Sequence, residues 1–128
     1  GAGIALKLCN NFMQYAEFVV MAEAVRLAES CGLSPQVLRE VGMSNGVVNP
    51  QMFQFITGRN GIMVGATDQG IISYFTAMGE LAQKDLDCAI GSAREKGVVM
   101  PTCQFIRDRI LDVFLGCDES APPAKEKN

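Results

Sequence analysis

Residues 1–11 read Gly1-Ala2-Gly3-Ile4-Ala5-Leu6-Lys7-Leu8-Cys9-Asn10-Asn11 and continue, with no proline, through Phe12, Tyr15 and Val19 to Ser30. At 100° per residue Lys7, Asn10, Asn11, Gln14 and Glu17 fall in one polar stripe. Ile4, Leu6, Leu8, Phe12, Met13, Phe18, Val19 and Val20 cover the rest of the circumference. A helix apolar on so many sides is expected to be buried, and its polar stripe to be buried with it or to line a cavity. A desolvated lysine needs a partner or a chemical task, so Lys7 is the first candidate for function. A second reading stays open, in which the stripe is the solvated face of an amphipathic helix.

Working outward, Gly32 ends this first helix, which is expected from about Ile4 to Ser30. Ser34-Pro35 supplies an N-cap and a first-turn proline for a short helix with Val37, Leu38 and Val41 inward. Asn49-Pro50 repeats the signal for a second short helix to about Thr57, with Met52, Phe53 and Ile56 inward. Six glycines between 42 and 70 mark loops around it. Long glycine-rich connections within one domain are often functional, although plain flexible surface is the commoner reason for them. From Ile71 a second long helix is expected to about Lys96, carrying Phe75, Met78, Leu81, Leu86 and Ile90. Pro101 opens the last helix, with Phe105, Ile106, Ile110, Leu111 and Phe114 as its buried stripe. The polar residues 117–128, with two adjacent prolines, are expected to be disordered. The expectation is an all-α domain over 1–116 with about five helices, two of them long.

Composition narrows the function. A formal charge of −3 without clustered Lys and Arg argues against nucleic acid as a partner. Gln14, Glu17 and Glu23 interrupt the best apolar run, so no membrane-spanning segment is expected, and no secretory signal is visible. Five cysteines without a CxxC pair are expected to be reduced core thiols of a cytoplasmic protein, and no metal site is expected. With no histidine in the chain, any proton carrier must be a lysine, carboxylate, tyrosine or thiol.

Gly1-Ala2-Gly3 is not expected to be a dinucleotide fingerprint, which needs a strand before it and a crossover helix after it, since here a helix follows the glycines at once. It does give a helix start at which a ligand can approach bare backbone at Gly3. Taken whole, Gly-x-Gly-x-x-x-Lys-x-x-Asn-Asn, followed by Glu23-Ala24 and Cys31-Gly32-Leu33, resembles the C-terminal helical domain of the β-hydroxyacid dehydrogenases. That superfamily includes 3-hydroxyisobutyrate dehydrogenase. The block Lys84-Asp85-Leu86-Asp87-Cys88-Ala89 is similar to its Lys-Asp-Leu-x-x-Ala segment, and the resemblance runs from Gly1 to about Leu115.

The resemblance implies a fold like the C-terminal domain of 6-phosphogluconate dehydrogenase, a small hydroxy-acid substrate, and NAD or NADP as cofactor. It implies that Lys7 is the general acid/base and that Asn11 binds substrate beside it, with Asn10 as a second contact. Positions i and i+4 project together from one helix face, consistent with that pairing. Gly3 and Lys84 are implied to lie on the cofactor side, with Asp85 fixing its helix locally. Phe75, nine residues before Lys84, is the candidate aromatic facing the nicotinamide, since Ala77 holds the family's seven-residue spacing. The resemblance further implies an upstream Rossmann domain, without which this chain is expected to be inactive, and a homodimer or higher homo-oligomer. Two alternatives stay open: a non-catalytic helical dimerisation module, and a relative of 6-phosphogluconate dehydrogenase itself, whose helical domain is much longer.

Overall fold

A computed structural model describes residues 1–123, which form five helices and no strand. They are α1 (Ala2–Ser30), α2 (Pro35–Ser44), α3 (Pro50–Ile62), α4 (Gln69–Glu95) and α5 (Pro101–Leu115). The all-α expectation, with two long helices among five, holds.

Local chemistry sets most of the starts. Ser34 Oγ accepts from Gln36 N, Asn49 Oδ1 accepts from Gln51 N and Met52 N, and Asp68 Oδ1 accepts from Ile71 N. Each cap satisfies amides that the first turn leaves without a partner. Gly32 (φ 79°) and Gly116 (φ 66°) follow the last turns of α1 and α5 in left-handed conformations that a side chain would strain.

The short link from Glu95 to Pro101 folds α4 and α5 antiparallel, with Gly79 against Leu111 at one end and Asp87 against Arg107 at the other. α1 lies across this pair and α3 closes over α1, with α2 against both. Val19, Ala22 and Val25 meet Ile56, Ala82, Leu86, Ile110 and Val113 in one core. Ala82 and Ala89 keep α4 slim where it meets its neighbours, and at Gly79 a Cβ would lie 3.2 Å from the Leu111 Cα.

Several expectations need correction. α1 is not buried along its length: Leu6 is 72% exposed, Ile4 and Met13 are similar, and its buried residues begin at Val19. Over its first four turns only one side packs, through Leu8, Phe12 and Tyr15 against the core, while the other is open, and Val20 and Leu27 also face outward. Val37, Val41, Leu81 and Phe105, expected inward, are exposed as well. Of the five thiols only Cys103 is buried, although all five are free. α3 continues past Thr57 to Ile62.

The reason lies in Arg59, which is 1% exposed at the end of that helix. Its guanidinium pairs with Asp118 at 2.9 Å and donates to the Val113 carbonyl at 2.7 Å. Burial pulls Arg59 below its ordinary pKa while the Asp118 carboxylate opposes that pull. The polar tail expected from residue 117 therefore starts with a buried anchor. Residues 124–128, also assigned to that tail, lie outside the described residues.

Candidate functional site

Of the polar stripe of α1, Asn11 reaches the seam with α4. Asn11 Nδ2 donates to Asp85 Oδ2 at 3.4 Å, and the Tyr15 hydroxyl donates to the same oxygen at 3.0 Å. Asp85 thus does more than fix its own helix, since it ties α4 to two successive turns of α1. Burial first, then the hydrogen bond and charge of Asp85, push the Tyr15 phenol up to about 12. It is a donor at any ordinary pH. Its ring stands edge-on to Phe114, with centroids 6.4 Å apart.

Lys7 lies one turn before Asn11, exposed and without a carboxylate partner among the described residues. The stripe is therefore neither buried nor enclosed: Lys7 and Asn10 are exposed, while Asn11, Gln14 and Glu17 are half-buried. Gly3 is exposed in the first turn, and a Cβ there would meet nothing within 4 Å. Lys84 is exposed beside Asp85 on α4. Asp87 belongs elsewhere, since it pairs with Arg107 of α5 at 2.9 Å. The fold brings Asn11, Tyr15 and Asp85 together at one seam, while Lys7, Asn10 and Lys84 are exposed neighbours along the two helices.

Phe75 is not part of that seam. It lies about 15 Å along α4 from Asp85, taking the helical rise over ten residues, and packs on Phe55 at 5.8 Å. Phe55 meets Phe114 at 5.1 Å, so the aromatic series from Phe75 ends on the ring that abuts Tyr15. Tyr15 itself continues the Lys7, Asn11 spacing by four more residues. The i+8 position was the signal that would have found it.

A largely apolar hollow of about 240 Å³ opens between the start of α1 and the end of α4, lined by Ala5, Leu8, Cys9, Ala89 and Lys96. A larger one of about 540 Å³ lies far away around Thr57, Asn60, Gly65 and Pro122. Among the described residues Glu29 is its one titratable lining residue. Among the described residues no cluster of three His, Cys, Asp or Glu stands close enough to hold a metal ion. No helix among them is long and apolar enough to cross a membrane.

Residues 1–113 match the family model described as the NAD-binding domain of NADP-dependent 3-hydroxyisobutyrate dehydrogenase. The chain belongs to this family. A 2-(hydroxymethyl)glutarate dehydrogenase of Eubacterium barkeri is 31% identical over 105 residues, covering 79% of this chain and 31% of the relative. An uncharacterized oxidoreductase found in two strains of Mycobacterium tuberculosis is 29% identical over 98% of this chain and 42% of its own length. The chain thus spans about a third to two fifths of these curated relatives. No solved structure gives a significant match.

The cofactor of this 3-hydroxyisobutyrate dehydrogenase-type domain is NAD or NADP. The donor set fits such a group. Lys7 and Lys84, exposed on α1 and α4, have no acidic partner among the described residues, and Gly3 leaves its backbone open to close approach. No G-x-G-x-x-G turn occurs in the 128 residues.

Proposed function

We propose that this chain is the substrate-binding and cofactor-completing domain of an NAD(P)-dependent oxidoreductase that interconverts a β-hydroxy acid and its semialdehyde or keto form. The observation that carries this reading is an unpaired Lys7 one turn from an Asn11 amide tied to Asp85, in a chain of this family. Bound nicotinamide supplies or accepts the hydride. Lys7 takes the hydroxyl proton in oxidation and returns it in reduction. An amine held in an ion pair would be poorly suited to that exchange, and Lys7 is in none among the described residues. Asn11 holds the substrate beside Lys7, with Asn10 as the second contact. Gly3 and Lys84 lie on the cofactor side. Phe75, away from the seam, keeps a cofactor role only if the nicotinamide reaches the aromatic end of α4.

The domain alone is expected to be inactive, and full activity requires a dinucleotide-binding domain. The test is hydride transfer by the protein with both domains, with NAD and with NADP, across small β-hydroxy acids. Turnover with at least one of them supports the reading, and none across the panel sinks it. A non-catalytic helical module is the competing class. The outward apolar residues Leu6, Met13, Val20 and Leu27 support a homodimer or higher homo-oligomer under either reading. Five free cysteines support a reducing, cytoplasmic setting.

A further inference from the structure

Two donors one turn apart on α1 converge on a single oxygen of α4. A carboxylate accepts and does not donate, so the branch of the Asn11 amide that faces Asp85 must be its NH2. The carbonyl Oδ1 is then turned away from α4, and no group among the described residues donates to it. At 3.4 Å the Asn11 contact is long for an N–H···O bond and holds that orientation weakly on its own. Tyr15 provides the firmer hold on Asp85. Its hydroxyl sits at 3.0 Å, and its ring is braced edge-on by Phe114.

We propose that Tyr15 is a positioning residue, which by holding Asp85 fixes the Asn11 carboxamide with nitrogen toward α4 and oxygen outward as an acceptor for a second hydroxyl of the substrate, apart from the one whose proton Lys7 takes. This rests on the dehydrogenase reading and deepens it. An outward acceptor favours a ligand that presents a hydroxyl over one of the same shape that lacks it. Without the phenol, Asp85 is free to turn, and the Asn11 amide, nearly the same shape either way round, loses its fixed sense.

The test uses the protein with both domains. Tyr15→Phe keeps the ring and removes the hydroxyl, and Asp85→Asn keeps the shape but lets the amide face it either way round. In both variants the Asn11 side-chain amide resonances, identified by their loss in Asn11→Ala, are expected to shift and exchange faster with solvent. KM for a hydroxy acid that carries the second hydroxyl is expected to rise about tenfold, the effect of one hydrogen bond. Turnover at saturation should stay within about threefold, since uniform binding is what is lost. Binding of the acid lacking the second hydroxyl should not change. Unmoved Asn11 resonances, or equal weakening of both acids, would overturn the proposal and leave Tyr15 a packing residue. Lys7→Ala separates the two levels. If it abolishes turnover while Tyr15→Phe changes nothing, this inference fails alone; if the unaltered protein turns over no hydroxy acid of the panel, the dehydrogenase reading fails and this inference with it.

Discussion

Replacing Asp118 with alanine should be the most damaging change outside the hydrophobic core. Asp118 is buried, its side chain is 2% exposed, and it faces Arg59 at 1%. The variant leaves a guanidinium in the interior with the Val113 carbonyl and Asn60 as its remaining partners. Removing one member of a buried ion pair typically costs about 3–5 kcal/mol. Domains of this kind have about 5–15 kcal/mol of total stability. With unfolding entropy near 2.1 cal/mol/K per residue, a chain this long loses about 15 °C in Tm for about 4 kcal/mol. Arg59→Met combined with Asp118→Ala removes both charges and should recover most of that loss. Thermal unfolding followed by circular dichroism reads all three proteins. A drop of less than about 3 °C for Asp118→Ala would mean that the segment after α5 lifts away and hydrates Arg59, contradicting its role as an anchor.

Gly79→Ala should lower stability by about 1–3 kcal/mol through overpacking, despite alanine's better helix propensity, because the Leu111 backbone blocks the new Cβ; denaturant titration measures it. Ile110→Ala, at a fully buried position, should cost about 2–5 kcal/mol, read by the same titration. Ultraviolet titration of the phenols should show Tyr15 ionising near pH 12 and later than an ordinary tyrosine. Its pKa is raised on folding, so the stabilisation it provides is complete below pH 10 and disappears between about 10 and 12. A Tyr15 that ionises near pH 10 would rule out the contact with Asp85.

The sequence carries the helix starts because capping chemistry is local. Ser34-Pro35 and Asn49-Pro50 act through hydrogen bonds two or three residues away. Lys7 and Asn11 were legible from their spacing and from the family resemblance. The partner of Asn11 was not, since Asp85 is 74 positions distant and only the packing of α1 on α4 joins them. Tyr15 passed for an aromatic on an apolar helix for the same reason. The overrun of α3 has the same origin, because Gly58 and Gly61 look like breakers until Arg59 and Asp118 are brought together. Burial was overstated where periodicity was taken as sufficient. Leu6, Val41, Leu81 and Phe105 have helical spacing but no element of this chain to cover them.

The central claim is that Lys7 is the proton carrier. The direct measurement is steady-state turnover of Lys7→Ala in the protein with both domains, followed by nicotinamide absorbance with a substrate the unaltered protein accepts. Lys7 is exposed, so the fold and the melting temperature should not change. Turnover should fall about 10²–10⁴-fold. Near-normal turnover in a folded Lys7→Ala protein would contradict the account and leave Lys7 a solvated residue on the first helix.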